Sequence, residues 1–139
     1  MTDADHAQTY EQWVQAIQLA NQPILDGFET WLRQSGLSEP TIKDHVDNIR
    51  FFSRYLLLYA YSLRRLDEAS EGDVYDFLED WFPRKALWAS VSSMKVYLAS
   101  FKKFFTWMGE TGLVPPETVA DVRSTLKDSR SLFLRKVAE

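Results

Sequence analysis

The feature that most constrains the fold is the spacing of apolar residues between positions 91 and 110. Large apolar side chains recur there in alternating steps of three and four, at Val91, Met94, Leu98, Phe101, Phe105 and Met108. This spacing places them on one face of an α-helix and does not match the two-residue period of a strand. One of the serines at 90, 92 and 93 is a suitable N-cap, and Gly112 follows the last turn. We therefore predict a long amphipathic helix.

The other well-patterned segments have the same helical period, and none alternates like a strand. The predicted helices cover about 9–20, 24–34, 39–59, 71–81 and 91–110, with one more beginning at 116 and a short one within 131–137. Asn21-Gln22-Pro23 is expected to break the chain between the first two, because proline removes a backbone donor. Pro83 is expected to end the fourth. The predicted fold class is all-α, a compact bundle of about five to seven helices in a single domain covering 1–139.

The third predicted helix, which Ser38 caps, separates an apolar stripe from a polar face. The stripe consists of Ile42, Val46, Ile49, Phe52 or Ser53, and Leu56, and it is widened by Phe51, Tyr55 and Leu58. His45 falls on the polar side of this helix. We expect it to be solvated, because an unpaired histidine is seldom a ligand.

Residues for catalysis or metal binding are scarce. The chain has no cysteine, and its two histidines, His6 and His45, lack a partner at metal-ligand spacing. Acids lie along the fourth predicted helix, at Glu71, Asp73, Asp76, Glu79 and Asp80. We expect a solvated face there, since calcium loops need ligands in a glycine-punctuated turn. We predict no enzyme activity, no metal and no cofactor.

Composition and charge limit the classes of partner. The chain is 45% hydrophobic and 14% aromatic, which is enough for a core and too much for a disordered chain. No apolar run reaches the roughly 18 residues of a membrane span, and the acidic start differs from a signal peptide, so we expect a cytoplasmic protein. The net charge is −4, but the positive excess is confined to the last third of the chain.

Several short motifs follow one another in a moderately specific order. They are Phe28-Glu29-Thr30-Trp31-Leu32, Gly36-Leu37-Ser38, Thr41-Ile42, the run from Phe51 to Leu56, the run from Asp73 to Leu78, and a serine-capped helix rich in phenylalanine at 92–108 followed by Gly112-Leu113-Val114. Together they cover roughly residues 24–115. This order resembles the N-terminal core-binding, SAM-like domain of tyrosine recombinases, the family of phage integrases and Xer-type enzymes.

The resemblance implies a fold and a function. In that family the domain is a four- or five-helix bundle that forms half of a C-shaped clamp around duplex DNA. The reaction belongs to a separate C-terminal domain, whose arginine, His-x-x-Arg and nucleophilic tyrosine have no counterpart in this sequence. The implied function is therefore a non-catalytic DNA-binding domain in site-specific recombination, DNA integration or their regulation. The implied partners are duplex DNA and a catalytic recombinase domain or protomer, with no membrane and no small-molecule substrate.

The resemblance also assigns DNA contacts to the helices that begin near Thr41 and Ser92. The candidate DNA-binding residues are Thr41, Lys43, Arg50, Arg54, Ser92, Ser93, Lys95, Lys102 and Lys103. If the two helices lie side by side with these residues outward, they form a cationic saddle, because lysine and arginine supply most non-specific affinity for DNA. Asp44 and Asp47 stand where DNA would approach. We therefore expect binding by this domain alone to be weak and salt-sensitive.

Both ends of the chain lie outside the resembling region. Residues 1–22 form an acidic N-terminal extension and helix, and 116–139 a C-terminal helical tail. Trp13 and Ile17 on the first helix suggest the alternative function, an acidic helical protein–protein interaction module without DNA binding. The apolar and basic segment 131–137 is expected to fold back on its own bundle, or to dock on a neighbouring protomer.

Overall fold

A computed structural model describes residues 3–59 and 63–138, with side chains from Thr9 onward. The helices are α1 Asp3–Gln34, α2 Glu39–Leu58, α3 Glu71–Asp76, α4 Phe82–Lys85, α5 Val91–Glu110, α6 Pro116–Asp128 and α7 Arg130–Lys136. A 3-10 turn spans Leu66–Glu68, and a π-helical turn, Phe77–Trp81, joins α3 to α4. These ranges contain no strand, so the prediction of an all-α fold is confirmed. Expectations that concern His6 lie outside the described side chains.

The ends of α2 and α5 are fixed by local sequence signals. The Ser38 hydroxyl accepts a hydrogen bond from the backbone N–H three residues on, which caps α2. Ser90 accepts from the Ser93 N–H at 3.0 Å, and the Ser93 hydroxyl accepts from the Ser90 N–H at 2.8 Å. Gly36 and Gly112, after α1 and α5, have φ of 80° and 76°, where a side chain would be strained. The predicted bounds of both helices are confirmed.

The predicted break at 21–23 is wrong, because α1 runs continuously through Pro23. Pro23 is exposed, but buried residues lie within two positions of it on each side, at Asn21 and Ile24. The buried Asn21 accepts a hydrogen bond from the Leu66 N–H at 2.9 Å, and Leu25 and Phe28 enter the core. Tertiary contacts on both sides thus hold the helix across a residue that locally disfavours it.

Pro83 does not end the fourth predicted helix either. Helical backbone runs without a break from α3 through the π-helical turn and Pro83 to Lys85, and Trp81, just before α4, is itself helical. In the preceding π-helical turn, the Phe82 N–H donates to the Phe77 carbonyl, which lies five residues back instead of the four of an α-helix. Phe77, Leu78 and Phe82 are all fully buried there. The wide turn therefore keeps consecutive large side chains in the core.

The core surrounds α5, which contacts α1, α2, α6 and α7. Fully buried aromatic rings fill it, at Phe28, Phe52, Phe77, Phe82, Phe101, Phe104, Phe105 and Phe133. The predicted α5 stripe is buried except at its start, where Val91 is half-buried. On α2 the predicted stripe is buried too, but Leu58 is 58% exposed and Leu57 is buried instead. Helix α2 ends at Leu58, one residue after Leu57, so the helical period no longer predicts which side chains are buried at this end.

The two ends of the chain differ in how they pack. Phe133 of α7 is fully buried, with its ring 5.6 Å from that of Tyr75, so segment 131–137 folds back on its own bundle as predicted. At the other end, Tyr10 and Trp13 of α1 are 51% and 59% exposed. Within the described ranges, no helix combines the length and apolar character needed to span a bilayer.

Candidate nucleic-acid interface

Helices α2 and α5 lie side by side and are joined by a buried polar network. His45 is only 5% exposed, and its Nδ1 lies 2.6 Å from Ser100 Oγ. Ser100 Oγ donates to the Val96 carbonyl and accepts from Asn48 Nδ2 at 3.0 Å. Its one hydrogen is thus used, so it also accepts from His45 Nδ1–H. The prediction that His45 is solvated is wrong. Its polar partner, Ser100, is a buried residue of α5, and the sequence of α2 alone does not reveal this contact.

The surroundings of His45 favour the neutral form of its imidazole ring. Burial lowers the pKa of His45 from its usual 6.5, because desolvation disfavours the charged ring. The positive charge of Lys103 on α5 lowers this pKa further, and Asp44 opposes the shift. Lys103 therefore lies on the flank of α5 that faces α2.

The candidate DNA-binding residues of α2 are largely engaged with other groups. Lys43 Nζ lies 2.5 Å from Asp47 Oδ2, and Arg50 donates to Asp47 Oδ1 at 3.1 Å. The Thr41 hydroxyl accepts from Ser38 Oγ at 2.9 Å within the helix cap. Arg54 is exposed and has no ion pair with any described residue. One carboxylate thus offsets two of the three cations predicted to face DNA on α2.

The groove that α2 and α5 share, the α2–α5 groove, is not cationic. It has a volume of about 450 Å³, and its lining residues are Asp44, Asp47, Asn48, Phe51, Trp88, Ser93, Val96 and Tyr97. The predicted saddle required cations on both walls. That part of the prediction is wrong, because two aspartates of α2 line the shared groove and no lysine of α5 does. Of the candidate residues, only Ser93 lines it, and its hydroxyl belongs to the α5 cap.

The outward surface of α5, which we call the α5 ridge, has no carboxylate. It consists of Ser92, Lys95, Ala99, Lys102, Lys103 and Thr106. Lys95 and Lys102 are exposed, and Lys103 is half-buried. In the described part of the chain none of these lysines forms an ion pair. The ridge therefore presents uncompensated positive charge to solvent over most of a 20-residue helix.

A second groove lies between α5 and α6, and sequence reasoning missed it. This α5–α6 groove, of about 550 Å³, is lined by five cationic residues: Lys95, Lys102, Arg123, Lys127 and Arg130. Leu98, Ala99 and Leu126 form the rest of its lining. One signal could have revealed it, because Arg123 and Lys127 are four apart on one helical face. The acids of α6 follow a different stripe.

The acidic row of α3 and the π-helical turn is only partly a solvated face. Asp76 and Asp80 are exposed, but Asp73 is buried and forms an ion pair with Arg64. Asp73 also accepts a hydrogen bond from the Ser70 N–H at 3.0 Å, which caps α3. Among the described residues no group of three or more histidine, aspartate or glutamate side chains is placed to hold a metal ion.

Comparison with known proteins identifies a family for most of the chain. The family model described as the phage integrase, N-terminal SAM-like domain, matches residues 24–113. No curated protein and no solved structure matches the chain significantly. The matched range includes α2 to α5 and the C-terminal part of α1, whereas α6 and α7 lie beyond it. The resemblance that the motifs between 24 and 115 indicated is thereby confirmed.

Proposed function

We propose, from the premise that the chain belongs to the family of phage integrase N-terminal SAM-like domains, that it binds duplex DNA. Family membership gives the protein a recombinase-related role. Within that role we assign it the non-catalytic, DNA-holding part in site-specific recombination, DNA integration or their regulation. A catalytic recombinase domain or protomer is the proposed partner that carries out strand exchange.

The observation that carries the proposal is the α5 ridge. A chain with a net charge of −4 keeps every acid off this surface and leaves Lys95, Lys102 and Lys103 unpaired there. Phosphate groups are bound by such side chains with release of counterions, which supplies most non-specific affinity. Hydroxyls such as those of Ser92 and Thr106 add hydrogen bonds to phosphate oxygens.

The α2 residues make a smaller contribution in this proposal. Arg54 offers an unpaired guanidinium, but Lys43 and Arg50 must first exchange Asp47 for a phosphate. Thr41 and Ser93 already use their hydroxyls in helix caps. Few cations of α2 are thus free at the outset, so the isolated domain is expected to bind DNA weakly, and added salt is expected to weaken the binding further.

Substitution of the ridge lysines tests the proposal. The triple variant K95Q/K102Q/K103Q is expected to bind a random-sequence 20-base-pair duplex about tenfold or more weakly than the wild type at low salt, because three phosphate contacts are lost. Fluorescence anisotropy of labelled DNA measures the affinity, and circular dichroism checks that each variant is folded.

The matched control is R33Q/R84Q/K136Q, which removes the same number of charges. Each of these side chains is exposed and held in an ion pair with Glu39, Asp80 or Glu79, respectively. The control is expected to retain most of the wild-type affinity, since its cations are already compensated. Equal losses in both triple variants would show that only total charge matters and would contradict a role for the ridge.

A second candidate function, a protein–protein interaction module, is favoured by one surface on α1. Tyr10, Trp13 and Ile17 of α1 line a groove of about 600 Å³. Leu63, which precedes the 3-10 turn, lines the same groove. The α1 side of this groove lies N-terminal to the matched range of the family, whereas Leu63 lies within that range. Large exposed aromatic side chains are common anchors in interfaces.

The two candidates are separated by a W13S variant. If the chain acts only through protein partners, the wild type does not bind DNA at low salt, and W13S loses a partner recovered by pull-down. If the DNA proposal holds, W13S binds the duplex as the wild type does, because Trp13 is remote in sequence from the α5 ridge and carries no charge.

A further inference from the structure

We infer that the α5–α6 groove is a track for the phosphodiester backbone of duplex DNA. The inference rests on the proposed function, and it adds a binding surface formed in part by α6 and α7. These two helices lie outside the range that the family model matches. The C-terminal segment of this chain therefore contributes Arg123, Lys127 and Arg130 to the track, and α5 contributes the rest.

Charge is the first support for this assignment. All five ionisable side chains that line the groove are cationic, namely Lys95, Lys102, Arg123, Lys127 and Arg130. In the described ranges none of them forms an ion pair. Most cations elsewhere are compensated: Arg33, Lys43, Arg50, Arg64, Arg65, Arg84 and Lys136 are all held by carboxylates. The groove thus brings together five cations whose charge is not neutralised by a described carboxylate of the protein.

The sorting of charges on α6 is the second support. Arg123 and Lys127 are one turn apart and line the groove. The acids Glu117, Asp121 and Asp128 occur at steps of four and seven, so the helical period puts them on a separate stripe. None of them lines the groove. An ordinary solvated helix mixes the two signs on its outer surface, whereas this helix separates them.

The shape of the cationic array favours a polyanion over a small anion. Lys95 and Lys102 are seven residues apart on α5, which corresponds to about 10 Å along the helix axis. One strand of B-DNA carries a phosphate about every 3.4 Å along its axis, so this length matches about three phosphates. The charges form two facing rows and do not converge on one point. A linear chain of phosphates satisfies both rows.

The groove is continuous with the α5 ridge, because Lys95 and Lys102 belong to both. Arg123 of α6 donates to Thr106 on the ridge at 3.2 Å, so the two surfaces meet along the length of α5. Gly109 allows α6 to approach α5 closely, since a Cβ at this position would lie 2.5 Å from Val119 Cγ2. DNA held on the ridge can therefore place one backbone against the α6 cations.

The test uses the full chain and the variant R123Q/K127Q/R130Q. Affinity for the 20-base-pair duplex is measured by anisotropy over a series of salt concentrations. Each phosphate contact contributes about 0.9 to the slope of log affinity against log salt, so loss of three contacts should flatten the slope by about 2.7. The control R33Q/R84Q/K136Q should keep the wild-type slope. Inorganic phosphate at matched ionic strength should not compete, because a small anion cannot span the array.

The possible results separate the two proposals. If R123Q/K127Q/R130Q keeps the wild-type slope while K95Q/K102Q/K103Q loses affinity, the track is refuted and the proposed function stands. If inorganic phosphate displaces DNA at matched ionic strength, the groove is a small-anion site and the track is again refuted. If the wild type does not bind duplex at low salt, the proposed function fails, and the track fails with it.

Discussion

At the scale of single residues, His45 shows how a partner on another helix determines burial. The pattern of α2 alone assigns it to the polar side of the helix, but Ser100 on α5 and Asn48 on its own helix complete a buried hydrogen-bonded set. A neutral ring satisfies this set without placing a charge in the core. Lys103 makes a charged ring still less favourable. The network thus joins α2 to α5 through buried side chains.

This environment predicts a pH dependence of stability. The folded-state pKa of His45 is lowered below the 6.5 of an ordinary histidine, so the unfolded chain binds a proton at a higher pH than the folded one. Stability is thus complete above about pH 6.5 and falls as the pH drops toward the folded-state pKa. We expect the free energy of unfolding to decrease from pH 7.5 to pH 5.5 because of this group.

Urea unfolding of the wild type and H45N at the two pH values measures this contribution. The variant keeps a hydrogen-bonding amide near Ser100 but has no titrating ring. Its stability is expected to change less over this range than that of the wild type. An equal pH dependence in both proteins would show that His45 is not the group responsible.

At the scale of helices, the sequence predicts those elements whose ends carry local signals. α2 and α5 were predicted correctly because Ser38, Ser90 and Gly112 act through bonds within a few residues. The sequence predicts two helices in place of α1, because Pro23 is a strong local signal for a break. The contact that helps to hold α1 together joins Asn21 to Leu66, two residues that are 45 positions apart. Local rules cannot include such a contact.

The continuity of α1 predicts that P23A stabilises the protein. Alanine restores the missing N–H and removes the ring from the helix interior, at the cost of a more flexible unfolded chain. We expect a gain of about 2 kcal/mol in the free energy of unfolding, measured with urea. P40A is the control, and little change is expected because Pro40 lies in the first turn of α2, after the extended N-cap Ser38. If P23A leaves stability unchanged or lowers it, α1 is divided at Pro23.

The candidate site was less predictable than the fold. The lysines of the α5 ridge follow from the helical period, because they lie opposite the apolar stripe. The pairing of Lys43 and Arg50 with Asp47 depends on side-chain conformations that a helical wheel does not fix. The α5–α6 groove depends on which face of α6 packs against α5. A tertiary arrangement therefore decides which cations remain free.

At the scale of the whole molecule, the separation of charge matters more than the net charge. The chain carries −4 overall, yet the unpaired cations are concentrated on α5, α6 and the start of α7. Such a distribution orients the protein as it approaches a polyanion, while its acidic remainder disfavours other orientations. A DNA-holding domain in a recombination complex needs this one-sidedness, because other faces must remain free for protein partners.

The most direct test of the account is the affinity of the wild-type chain for random-sequence duplex DNA as a function of salt. The ridge and the groove together offer Lys95, Lys102, Lys103, Arg123, Lys127 and Arg130. With all six cations engaged, log affinity should fall against log salt with a slope of about −5, and with fewer engaged the slope should be shallower but clearly negative. Absence of binding at the lowest salt, or a slope near zero, would contradict the account.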